Sequence, residues 1–234
     1  MAASRKISLQ GDFMKKIASF LAFLALGISV SAKSWTNYAG FGWRIPTAVK
    51  VQSDDSNGKD IKFKTQTGLS LDYAGVHENG FSLRGIFDIN YSGSDIEVGS
   101  DKDEMEGANC LFLVGAGYAP IHTEKMFLGF YGMLGADATV LNYEETVSVG
   151  GYSNSYEVTV SHAATVLGAN ATFVYSPAEH FSLFASVCAN YMFPAQIKID
   201  EDIKINGVSK SESPKYDCKG AFKFVPTVGI CWRF

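Results

Sequence analysis

The end of the chain constrains its fold most. From Phe222 to the terminal Phe234 every even-numbered residue is apolar: Phe222, Phe224, Pro226, Val228, Ile230, Trp232 and Phe234. The odd positions hold Lys223, Val225, Thr227, Gly229, Cys231 and Arg233. Successive side chains of a strand point to opposite faces, so this segment has one apolar face and one mixed face. On a soluble protein such a terminal strand would be an edge open to aggregation. A membrane barrel closes that edge and turns the apolar stripe toward lipid.

The other end suits export. Met14-Lys15-Lys16 precedes an uncharged, largely apolar run from Ile17 to Val30, and Val30-Ser31-Ala32 offers a cleavage site. This pattern is that of a secretory signal peptide, and the apolar run is shorter than the roughly 20 residues that span a bilayer. The expected organisation is a signal peptide over 1–32, with its core at 14–32, and a single domain over 33–234. Residues 1–13 read either as an extended basic region or as sequence upstream of a true initiator at Met14. The 23 Gly, 17 Phe and 11 Tyr suit strands and turns. A net charge of -4 argues against a nucleic-acid partner.

Period-2 alternation recurs along the rest of the chain. It predicts strands over 35–45, 61–73, 81–92, 109–118, 128–138, 167–175, 181–193 and 222–234. Each has about ten residues, the length a tilted strand needs to cross a bilayer. In the second, Ile61, Phe63, Thr65, Thr67, Leu69, Leu71 and Tyr73 are expected on the lipid face. The connections 74–80, 119–125 and 176–180 are short, whereas 46–60, 93–106, 142–161 and 194–219 are long. Alternating short turns and long loops are a property of outer-membrane barrels, and an even strand count puts both termini in the periplasm. Aromatics end many of the faces, as the interfacial girdles of such barrels require.

The expected fold class is all-β, an eight-stranded antiparallel up-and-down transmembrane β-barrel. The domain resembles the bacterial eight-stranded outer-membrane proteins of the OmpW, OmpX and OmpA-barrel type, and Trp232-Arg233-Phe234 is similar to the ending of OmpW relatives. The resemblance implies an outer-membrane location and contact with outer-membrane lipid. It also implies that Val228, Ile230, Trp232 and Phe234 act as an assembly signal read by the barrel-assembly machinery. OmpW-like proteins suggest passage of small hydrophobic molecules and OmpX-like ones surface interaction. Fold does not choose between them.

An eight-stranded barrel is only wide enough for its side chains to fill the inside. The expected lumen set is Lys62, Lys64, Asp72, Arg84, Asp88, Asp137, Lys223 and Arg233, whose opposite charges must pair at depth. Loop 93–106 carries Asp95, Glu97, Asp101, Asp103, Glu104 and Glu106 against a single Lys102. Their order does not fit an EF-hand, so a solvated acidic loop is expected. His77, His122 and His180 fall one in each short turn. No metal spacing joins them, and no cofactor is implied. His162 and its neighbour Ser161 would face opposite sides of one strand, so no catalytic dyad is expected. Of the four cysteines, Cys188 and Cys231 face inward and Cys110 faces lipid, with Cys188 opposite about residue 224. No disulfide is expected from that register. The leading functional expectation is passive passage of small molecules, apolar ones among them, through a narrow or laterally gated lumen. The alternative is a closed barrel presenting long loops for adhesion or host-ligand binding. A lipid-modifying enzyme is the third.

Overall fold

In a computed structural model the described residues are 34–52, 54, 61–98, 101–149, 152–205 and 208–234. The expected signal peptide therefore lies outside them. The elements in chain order are β1 (Trp35–Val51), β2 (Ile61–His77), β3 (Phe81–Val98), β4 (Asp101–His122), β5 (Met126–Val149), β6 (Tyr152–Tyr175), β7 (Phe181–Met192), β8 (Ala195–Ile205), β9 (Val208–Glu212), β10 (Lys215–Cys218) and β11 (Ala221–Arg233). All pairings are antiparallel.

Neighbouring strands pair in sequence from β1 to β7, β7 pairs β11, and β11 returns to β1. The sheet thus closes into an eight-stranded barrel, as expected. Closure runs to the last residue, since Phe234 and Asn37 exchange both backbone hydrogen bonds, at 2.9 and 3.0 Å. β8 continues β7 past Pro194, and β9 and β10 lead into β11. Met192↔Ala221, Ala195↔Cys218 and Glu201↔Glu212 lie on one unbroken antiparallel register.

The strands are much longer than a bilayer requires. β5 and β6 have 24 residues each, where a spanning strand needs roughly 9–11. Most of the segments expected as long loops are instead upper strand. The β3–β4 ladder runs from Phe81↔Tyr118 to Val98↔Asp101, and the β5–β6 ladder from Met126↔Tyr175 to Val149↔Tyr152. At the other end the connections are tight. Gly80 closes the β2–β3 turn with φ of +88°, a conformation that glycine adopts without steric cost.

Outward side chains form an apolar belt around the barrel. Phe41, Leu69, Ile89, Phe130, Leu134, Leu167, Val187 and Ile230 are all at least 40% exposed. An exposed apolar surface that encircles a molecule is stable only in lipid. Aromatics edge the belt. Phe81, Tyr118, Tyr175, Phe181 and Phe234 lie toward the short turns. Tyr191, Phe193 and Phe222 cluster toward the hairpins, with ring centroids 5.3 and 5.0 Å apart. The barrel therefore spans a membrane, with its hairpins standing clear on one side.

One expected face is wrong in part. Leu69 is exposed on the outside as predicted, but Phe63 is buried inside. Register shifts between Lys64 and Thr67 in β2, and between Arg44 and Thr47 in β1, change the side on which each later residue points. A bulge adds one residue to one strand and so swaps faces beyond it. The side chains of Lys62 and Lys64 lie outside the described residues.

Candidate functional site

The barrel interior is bridged from wall to wall at three levels. Nearest the short turns, Tyr38 of β1 stacks on Phe127 of β5, with centroids 5.6 Å apart and planes 11° from parallel. Nearest the hairpins, Phe63 of β2 reaches His162 of β6 at 5.9 Å, among Val51, Leu141, Val158 and Ile197, all buried. Between these apolar layers lies a charged one.

Its three ion pairs are Arg84–Asp72, Lys223–Asp137 and Arg44–Asp88, the last at 3.7 Å, all nearly or wholly buried. Three carboxylates meet three cations, so the layer is neutral. An unpaired charge at such a position would cost several kcal/mol, roughly. Asn109 of β4 is the hub. Its Oδ1 accepts from Arg44 Nη1 (3.3 Å), Asn90 Nδ2 (3.1 Å) and Lys223 Nζ (3.5 Å). Its Nδ2 donates to Asp137 Oδ1 (2.6 Å) and Thr139 Oγ1 (2.9 Å). Side chains from β1, β3, β4, β5 and β11 are thereby tied together across the lumen. A cavity of about 10 Å³ beside Tyr38, Asp72 and Arg84 is too small for a solute.

Of the expected lumen residues, Asp72, Arg84, Asp88, Asp137 and Lys223 are buried inside and paired. Arg233 is half-buried at the short-turn rim and donates to the Glu124 carbonyl. Sequence reading missed Arg44, Gln66 and Asn109. Arg44 Nη2 donates to Gln66 Oε1 at 3.3 Å. Arg44 sits between the exposed Trp43 and Ile45, so its parity alone marked it as inward. Val228, Ile230, Trp232 and Phe234 all face outward.

The outside of the hairpin end carries acidic rows. Asp95 lies opposite Glu104, and Glu144, Glu157 and Asp202 lie opposite one another on β5, β6 and β8. All five are exposed. Asp200 stands one row away. Burial alone would raise its carboxyl, but hydrogen bonds from Lys198 and Ser213 hold it below the usual carboxylate range. The side chains of Glu97, Asp101 and Asp103 lie outside the described residues.

The turn histidines serve as local ties. The backbone N–H of Asn79 donates to His77 Nδ1 at 3.2 Å, and His180 Nδ1 lies 3.2 Å from the Arg233 carbonyl. His162 is buried inside, while Ser161 is on the opposite face. Among the described residues no group of three or more His, Cys, Asp or Glu is placed to hold a metal ion. None of the four described cysteines is in a disulfide, and Cys188 lies opposite Val225.

No protein-family model matches the chain, and no curated protein matches it by sequence. Solved structures do. The chain is similar to the outer membrane protein OprG from Pseudomonas aeruginosa, at 16% identity over 86% of this chain and 96% of that one, with a TM-score of 0.52. It is also similar to a major outer membrane protein from Thermus thermophilus, at 12% identity over 85% and 99%, TM-score 0.49. Ail, the attachment invasion locus protein of Yersinia pestis, aligns at 20% identity over 86% and 99%, TM-score 0.41. The closed register, the apolar belt and the likeness to OprG together identify the fold of this chain as the eight-stranded antiparallel β-barrel of outer-membrane proteins.

Proposed function

We propose that this protein is a closed outer-membrane barrel that presents an acidic β-sheet at the cell surface for binding a basic partner. Short turns and both termini face the periplasm, and the hairpins face outward. The observation that carries this reading is the bridging of the lumen at three levels, which leaves the projecting hairpins as the accessible functional surface. Like charges directly opposite on a ladder repel and destabilise it. Glu144, Glu157 and Asp202 form such a row. Two lysines of β8 and β9 pair locally, Lys198 with Asp200 and Lys210 with Glu212. A basic surface docked on the row would relieve the repulsion. No catalytic role is proposed. Val228, Ile230, Trp232 and Phe234 keep their proposed role as the signal for barrel assembly, since an outward-facing terminal stripe is accessible while the strand awaits closure.

Passage of apolar molecules, the leading expectation from sequence, stands as a second reading on one observation. The β1–β11 ladder is continuous from Tyr38↔Arg233 to Arg44↔Thr227 and then stops. Backbone pairing resumes only where Lys219 donates to Gln52 and Asp54 to Asp217, each at 2.9 Å. Pro46 and Pro226 flank the interruption on the two strands, and proline weakens a ladder by removing a donor. A small apolar solute would enter the bilayer sideways there, without crossing the charged layer.

The test is binding of the lipid-reconstituted 33–234 barrel to immobilised polylysine. Glu144→Gln, Glu157→Gln and Asp202→Asn combined are expected to weaken it at least tenfold and leave the heat-modifiable gel band intact. Unchanged binding would sink the acidic-sheet reading. Uptake of an apolar solute that is lost when the β1–β11 seam is cross-linked would move the assignment to lateral passage. Deletion of 194–219 is a poor probe, because β8 pairs with β6 and contributes to the wall.

A further inference from the structure

The short-turn end of the barrel holds a cup of about 290 Å³ that the reading above does not use. That volume is close to the lower bound of small-molecule sites, roughly 300 Å³. The floor is the stacked Tyr38–Phe127 pair with Val76, all buried. Thr36 and Thr123 also line it. The rim carries Arg233, Glu78, Glu124 and His122.

Two features make this a formed site. The rim is tied in place, because the two ring nitrogens of His122 lie 2.8 Å from Ala119 O and 3.1 Å from Glu78 O. That imidazole joins the β2–β3 turn to the end of β4. In addition, Arg233 makes no ion pair among the described residues. Its guanidinium donates to a backbone carbonyl of Glu124, a neutral group. Glu78 and Glu124, both exposed, are also among the lining residues, and their negative charge nearby disfavours a second negative charge on any occupant.

We infer that the cup binds a small monoanion with an aromatic body, its carboxylate on Arg233 and its ring against Tyr38 and Phe127. Guanidinium recognises carboxylate by paired hydrogen bonds. An aromatic floor takes a flat ring in offset or edge-on contact. The two preferences converge on one class of ligand, the arylalkanoic acids.

Phenylacetate is the probe, titrated calorimetrically into the full mature barrel in detergent micelles, with 2-phenylethanol and 2-phenylethylamine as neutral and cationic controls. Phenylacetate is expected to bind at least tenfold more tightly than either control. Arg233→Gln is expected to lose that preference and Arg233→Lys to retain part of it. Thr36→Trp, which places a ring in the cup and leaves the cation alone, is expected to abolish binding. It decides the matter if Arg233→Gln does not fold. Equal or tighter binding of the amine would mean that the rim carboxylates dominate and would overturn the inference. So would phenylacetate binding that survives Thr36→Trp, or none at millimolar concentration. This test is independent of the polylysine experiment, which reads the opposite end of the barrel.

Discussion

Asp137→Ala will destabilise the folded barrel by roughly 3–5 kcal/mol, the usual cost of leaving one member of a buried ion pair without its partner. Lys223 would then be a buried ammonium on β11 facing an apolar methyl on β5. Asn109 would also lose the acceptor of its 2.6 Å hydrogen bond. Equilibrium unfolding by urea in lipid vesicles measures the change. The double replacement Asp137→Leu with Lys223→Met removes both charges. It is expected to recover most of the loss, because apolar groups of similar volume replace buried pairs at little cost. Recovery would show that the single variant suffers from an unpaired charge. A double variant as unstable as the single would mean that Asn109 and its neighbours depend on the charges themselves.

Leu134→Arg will cost about 2–4 kcal/mol in the same assay, the value for a basic residue at the lipid face near the bilayer midplane. Thr146→Arg, on the same face of β5 but in the hairpin extension, will cost about 0–1 kcal/mol. Both side chains are exposed, so a barrel in water would accept the two arginines alike. The contrast maps where lipid ends along a strand of 24 residues. A gradual decline across the girdle of Tyr191, Phe193 and Phe222 would place that aromatic cluster at the interface.

The membrane half of this protein was legible from residues alone because lipid demands an apolar outer face without exception. That demand writes alternation into Phe41, Trp43, Leu69, Ile89, Leu167 and the terminal stripe. Parity also marked Asp72, Arg84, Asp88, Asp137 and Lys223 as inward. Above the membrane the constraint lapses. The outer face meets water there and accepts Asp95, Glu144 or Glu157, so the alternation fades and extended strand reads as loop. The inward side still keeps apolar residues such as Leu141, Val158 and Ile197, a weak signal beside so many polar neighbours. Phe63 was misplaced because a bulge changes parity, and no residue near Lys64–Thr67 announces one. The acidic row of Glu144, Glu157 and Asp202 joins residues distant in sequence and exists only once the register is known. The same holds for Asn109, whose role depends on five strands meeting around it.

The lumen is sealed by its own side chains at three levels. Single-channel recording of the mature barrel in a planar bilayer tests it most directly, after an unboiled gel confirms the folded species. Tyr38 against Phe127, the Asn109 network and Phe63 against His162 predict a folded barrel with no conductance steps in simple salt. Reproducible steps from the folded protein, altered by substitutions at Lys223 or Asp137, would contradict the sealed lumen.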